Sequence, residues 1–148
     1  MSRPAPATAP AQRQSTCIAI AGRAVLIEGP PGSGKSSLAL ALIDRGAELI
    51  GDDSVLFKAD GRRLIAMPHP HTRGLMEVRN LGVLPFPCID DVPVALVLRL
   101  DSAAPRYIET PERFTIAGIE LPLVRLWPEG GSLALKAELA LGRYGLAP

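Results

Sequence analysis

Gly29-Pro30-Pro31-Gly32-Ser33-Gly34-Lys35-Ser36 fits the pattern GxxxxGK[ST] and stands between a short apolar run and an apolar stretch with helical spacing. No other segment constrains the fold as much, because this one works only at the junction of a strand and the helix that follows it. Glycines let the backbone curl so that consecutive N–H groups converge on phosphate oxygens, and the helix adds the partial positive charge of its N-terminus. Lys35 can bridge the terminal phosphates as a mobile charge, while the Ser36 hydroxyl is the usual protein ligand of the Mg2+ that accompanies them. The phosphate-contacting set therefore runs Gly29, Pro30, Pro31, Gly32, Ser33, Gly34, Lys35, Ser36 and Ser37. Val25, Leu26 and Ile27 supply the preceding buried strand; Leu38, Leu42 and Ile43, with Ala39 and Ala41 between, supply the apolar face of the helix, which Gly46 ends.

The 148 residues, 47% of them hydrophobic, suffice for one domain with its own core. Lysine and arginine number 16 against 15 acidic residues, so the chain carries no electrostatic footprint for nucleic acid or an anionic membrane. Cys17 and Cys88 match no metal spacing and read as reduced thiols. With neither a signal-peptide core nor a run able to span a bilayer, the expectation is a cytoplasmic protein. Residues 1–13, whose first dozen are rich in Ala, Pro and Thr, are expected to be disordered, and 14–148 to form the domain.

After the helix, Ala47–Ile50 reads as a second strand, parallel to the first across the helical crossover, and ends at Gly51-Asp52-Asp53. A shared carboxyl edge would bring this acidic pair beside the phosphate loop, with one of the two side chains facing it. Ser54–Ala59 and Arg62–Met67 predict a hairpin around Asp60-Gly61, and Pro68–Gly74 a loop. Val94–Leu100 predicts a central buried strand. Arg113–Ile119 and Leu121–Leu126 predict short strands interrupted at Gly118 and Pro122, and Leu133–Leu141 a closing helix with Leu135, Leu139 and Ala140 at helical spacing. The fold class is α/β, a single phosphate-loop domain with a mixed β-sheet.

The loop, the helix and strand Leu38–Ile50, the pair Asp52-Asp53 and the segment Glu77-Val78-Arg79-Asn80-Leu81-Gly82-Val83 together resemble the catalytic domain of the HPr kinase/phosphorylase family, whose signature runs E-[IV]-R-G-L-G-[IV]. The resemblance implies the nucleotide-binding core that these enzymes share with phosphoenolpyruvate carboxykinases, in its short, kinase-domain-only form. It implies ATP and Mg2+ as cofactors and the phosphocarrier protein HPr as partner, phosphorylated on serine to regulate carbon metabolism through the phosphotransferase system. Self-association, commonly into hexamers, is implied as well. By the same resemblance Asp53 is the catalytic aspartate, which accepts the serine proton. Glu77 and Ser36 hold the metal, Lys35 the phosphates, and Asp52 supports the metal or orients its neighbour. Among the arginines, Arg113 is preferred over Arg106 as the catalytic one.

The chain also departs from that pattern. Gln14 stands where the family has a histidine and cannot titrate near neutral pH. Pro31 removes one backbone donor from the loop, and Asn80 replaces a glycine, which a left-handed backbone tolerates. The region Arg125–Ser132 lacks the paired arginines associated with the reverse reaction, which argues against phosphorylase activity. His69 and His71 have no third ligand nearby and read as surface or substrate-contact residues. Two rival readings stand beside the kinase: a generic phosphate-loop NTPase using Asp101, at the end of the central strand, as its metal ligand, and a nucleotide-binding regulator without catalysis.

Overall fold

The computed structural model describes residues 10–148. From the N-terminus come β1 (Ala11–Arg13), β2 (Thr16–Ile20), β3 (Arg23–Glu28), α1 (Lys35–Asp44), β4 (Glu48–Gly51), β5 (Val55–Asp60) and β6 (Arg63–Pro68). There follow β7 (Leu75–Val78), β8 (Gly82–Pro85), β9 (Val92–Leu100), β10 (Glu112–Ile116), β11 (Ile119–Leu126) and α2 (Leu133–Tyr144). No described helix is long and apolar enough to cross a membrane.

The most apolar runs form the middle of the main sheet, whose order is β1-β5-β6-β9-β3-β2-β4, with β11 joining β9 and carrying β10 on its far side. Strand β9 pairs in parallel with β3 on one side and, over Leu123–Leu126, with β11 on the other. Near-continuous Val and Leu in β9 is what a strand covered on both faces requires. One face packs under both helices, where Ile18, Val25, Ile27, Leu96 and Leu98 meet Leu38, Leu42, Ala137 and Leu141. The other face is covered by the sheet curling back on itself, so that Val55, Phe57, Leu64 and Ala66 of the β5–β6 hairpin close over Leu26, Val94 and Val97. The Val, Leu, Ile and Phe side chains among these each contribute about 1.5–3 kcal/mol when fully buried.

Several expectations are corrected by the topology. Strand β4 does run in the same direction as β3, but β2 is inserted between them and pairs antiparallel with both. The two-residue turn Ala21-Gly22, with both residues at positive φ, folds β2 back along β3. The carboxyl ends of β3 and β4 therefore still share one edge. Residues 1–9 of the segment expected to be disordered lie outside the described residues, whereas Ala11–Arg13 are ordered as β1 on the edge of β5. Pro122 does not interrupt β11, because it stands opposite Arg113 before β11 begins pairing with β9 at Leu123. In α2 the buried face is Ala137, Ala140 and Leu141, while Leu135 and Leu139 are exposed. The small inward residues let the helix lie close to the sheet.

Helix α1 ends with the Ala47 N–H donating to Leu42 O and the Gly46 N–H to Ile43 O, each at 3.0 Å, the paired bonds of a Schellman cap. Its buried residues are Leu38, Ala39 and Leu42, with Ile43 partly buried and Ala41 exposed.

Cys17 is fully buried, and burial, with the negative charge of Glu28 nearby, pushes its thiol pKa up; Cys88 is half-buried. A thiol with so little thiolate character does not attack disulfide reagents. One thiol is therefore expected to react with such a reagent in the native protein and two in denaturant. Reaction of both under native conditions would show that β2 opens to solvent.

Candidate active site

The phosphate loop leaves β3 at Glu28 and enters α1 at Lys35, with Gly34 at the helix N-cap in the left-handed region at φ 99°. That conformation suits glycine and turns the last loop amides toward the helix axis. Within the loop the Ser33 N–H donates to Pro30 O at 3.1 Å, closing a tight turn. The helix then starts with the Leu38 N–H bonded to Gly34 O at 2.9 Å.

In front of the loop lies a cleft of about 830 Å³, a volume suited to a nucleotide-sized ligand. Pro31, Gly32, Gly34, Lys35, Ser36 and Ser37 of the loop and helix start line it, together with Asp52, Asp53 and Glu77. Gly29, Pro30 and Ser33 belong to the loop but do not line the cleft. Gln14 does line it, at the rim.

Asp52 is held by hydroxyls. Ser36 Oγ donates to its Oδ1 at 2.7 Å and Thr16 Oγ1 to the same oxygen at 3.0 Å. Asp53 has φ 59°, an uncommon conformation that Asp tolerates better than most residues. This step departs from strand geometry, so the alternation expected of a strand end fails and both carboxylates line the cleft. Glu77 arrives by ordinary alternation: Met76 is buried in the core on one side of β7 and Glu77 is exposed on the other. Asn80, at φ 73°, takes the left-handed position expected of it in the turn to β8.

Lys35, Asp53, Glu77 and Arg79 form no ion pair with one another or with other protein groups among the described residues. Charged groups gathered around a cleft but left unpaired are available to a ligand. Arg79, which also lines the cleft, was not assigned from the sequence, although the third position of the Glu77–Val83 signature pointed to it.

Arg113 does not come to the cleft. Alternation along β10 turns Glu112 toward Arg125 and leaves Arg113 exposed on the other face, where it bonds Glu120 at 2.7 Å. Arg106 lines a second, smaller cavity beside Trp127. Asp101 is likewise outside the cleft: Ala103 N–H at 2.8 Å and Arg125 at 2.9 Å hold its carboxyl below the usual carboxylate range. A carboxylate so engaged is a poor metal ligand, which removes the basis of the generic NTPase reading.

Behind the loop, the buried carboxylate of Glu28 is bonded by Arg13 and Ser15. The guanidinium groups of Arg13 and Arg99 lie 5.0 and 5.1 Å from the Phe114 ring centroid. These residues were not singled out in the sequence, where the signal was a glutamate closing an otherwise apolar strand.

The family model of the HPr serine kinase C-terminal domain matches residues 7–89, a stretch that includes every cleft residue named above. The chain is similar to the HPr kinase/phosphorylase of Mycoplasma mycoides, 28% identical over 90% of this chain and 48% of the relative. It is also similar to that of Streptococcus gordonii, 31% identical over 84% and 45%. Among solved structures, the HPr(Ser) kinase/phosphatase of Coxiella burnetii is 25% identical, with a TM-score of 0.79 over 89% of this chain and 94% of that one. The chain thus spans about half the length, or less, of the curated relatives it matches.

The turn carrying the acidic pair depends on Gly51, where an added Cβ would stand 2.4 Å from Ser54 O. Gly51→Ala is expected to cost about 1–3 kcal/mol through the forced backbone shift. Chemical denaturation measures this, and an unchanged midpoint would show that the turn has room to spare.

Proposed function

This chain belongs to the HPr serine kinase C-terminal domain family, and from that membership we propose that it transfers the γ-phosphoryl group of ATP to a serine hydroxyl of HPr. The observation that carries the proposal is that Lys35 and Ser36 of the phosphate loop line one cleft together with Asp52, Asp53 and Glu77.

Phosphoryl transfer asks little covalent chemistry of a protein and much positioning. In this reading the loop amides and Lys35 hold the β- and γ-phosphates, and Arg79 contacts the group in transit. Asp53 accepts the serine proton as the serine oxygen bonds to phosphorus and the bond from phosphorus to the β,γ-bridging oxygen breaks, releasing ADP.

The donor set suits Mg2+: Ser36 and Glu77 offer hard oxygens, and among the described residues no cluster of three His, Cys, Asp or Glu side chains encloses a metal. Mg2+ keeps several waters and binds through one or two protein ligands plus substrate phosphates, neutralising charge on the transferred group. Ser36 Oγ–H donates a hydrogen bond to Asp52 Oδ1, which would leave the hydroxyl's lone pairs for the cation. Gln14 at the cleft rim carries no titratable proton, so acid–base work falls to Asp53. Nothing assigned to this cleft replaces the paired arginines associated with the reverse reaction, and transfer to HPr is the direction proposed.

The test is incubation with HPr, Mg2+ and γ-labelled ATP. Label is expected on HPr serine. Nucleotide binding without label would instead mark a regulator that has lost catalysis. Asp53→Asn is expected to lower kcat about 100-fold or more while leaving the KM for ATP nearly unchanged. Asp101→Ala should retain activity, and the opposite ranking of these two variants would restore the generic NTPase reading.

A further inference from the structure

We infer that Thr16 is a positioning residue for this reaction, holding the Asp52 carboxylate so that Ser36 presents its lone pairs to the nucleotide's cation; the inference rests on the function proposed above. Its place is dictated by strand register. Cys17 stands opposite Gly51 in the antiparallel β2–β4 pair, so the residue before Cys17 meets the residue after Gly51, which is Asp52. Ile18 belongs to the core beneath α1, and Thr16, two residues earlier, shares that face. Strand β2 thereby brings a buried hydroxyl to Asp52, which in turn meets Ser36 at the start of α1.

The bonding pattern is specific. Thr16 Oγ1 and Ser36 Oγ donate to one and the same oxygen, Asp52 Oδ1, at 3.0 and 2.7 Å. Hydrogen bonds to an ionised carboxylate are stronger than those between neutral groups, and among the described residues Asp52 forms no ion pair that could serve instead. With Ser36 Oγ–H directed at Asp52, the remaining lone pairs of that hydroxyl point away from the carboxylate. Thr16 restricts rotation of the carboxylate and so sets this direction. The same tie steadies Asp52 immediately before the left-handed Asp53.

Thr16 is fully buried. If shape were the requirement, valine would fill the same volume without bringing a hydroxyl out of water. The hydroxyl's use is its bond to Asp52.

The test compares wild type, Thr16→Val and Thr16→Ser for Mn2+ affinity in the presence of AMP-PNP, read by electron paramagnetic resonance, so that no turnover is needed. Removing the direct partner of a metal ligand commonly weakens the metal by about 10–100-fold; Thr16 acts one bond further out, through Asp52, so T16V is expected to lose about 10-fold, the low end of that range, and T16S no more than about twofold. A packing role gives the reverse order, since T16S leaves a methyl-sized gap and T16V does not. T16V binding Mn2+ as tightly as wild type overturns the inference, as does T16S being the weaker of the two. Should T16V fail to fold, T16A supplies the same loss of hydroxyl with no branched side chain to accommodate, and its binding Mn2+ like wild type is equally fatal. A wild-type protein that binds no Mn2+ with AMP-PNP refutes the cation reading itself, and this inference with it.

Discussion

Parallel pairing of β3 with β9 is the constraint on which the remaining structure depends. Ala24–Glu28 run beside Val94–Arg99 with both faces covered, so neither strand can shift without exposing apolar surface on two sides. Because β9 continues to Leu100 beside the start of the loop, the chain leaving β3 has to turn out over the carboxyl edge. There its amides have no strand to pair with, and they become available to an anion. The β2–β3 hairpin and β4 then bring side chains to that same edge without any long excursion of the chain.

A second requirement follows from ending a buried strand on a carboxylate. Glu28 is buried, and a buried carboxyl group is costly unless its oxygens find hydrogen-bond partners. Arg13 and Ser15 meet that need, and Arg13 in turn rests on Phe114. This accounts for β1, whose Ala-Gln-Arg sequence has little intrinsic tendency to form a strand. The segment is held by what its arginine reaches and by the open edge of β5.

Where local pattern and long-range requirement coincide, the sequence was readable. The phosphate loop, α1, the β5–β6 hairpin and β9 each announce themselves through spacing or turn residues, and the acidic pair could be placed beside the loop from strand direction alone. Adjacency was a different matter, because nothing in β2 says that it inserts between β3 and β4. Helix α2 misled for a related reason: Leu135 and Leu139 have the same helical spacing as the true inner face, and only the close approach of the sheet selects the alanines. Arg113 misled because a lone arginine carries no spacing to test, while Arg79 lay inside a recognised signature and was passed over. The role of both carboxylates in the cleft depended on one backbone angle, at Asp53, that side-chain pattern does not encode.

That angle sets stability against chemistry. A non-glycine residue held at φ 59° stores roughly 1 kcal/mol or more of conformational energy. Glycine would relieve that tension and asparagine would ease it, yet neither could accept a proton. The fold is therefore held slightly above its own optimum at the position where the proposed transfer would need its base. If the proposed transfer were lost, a descendant chain could recover the difference with one substitution, so under that proposal the identity of residue 53 would be a compact record of whether the transfer persists.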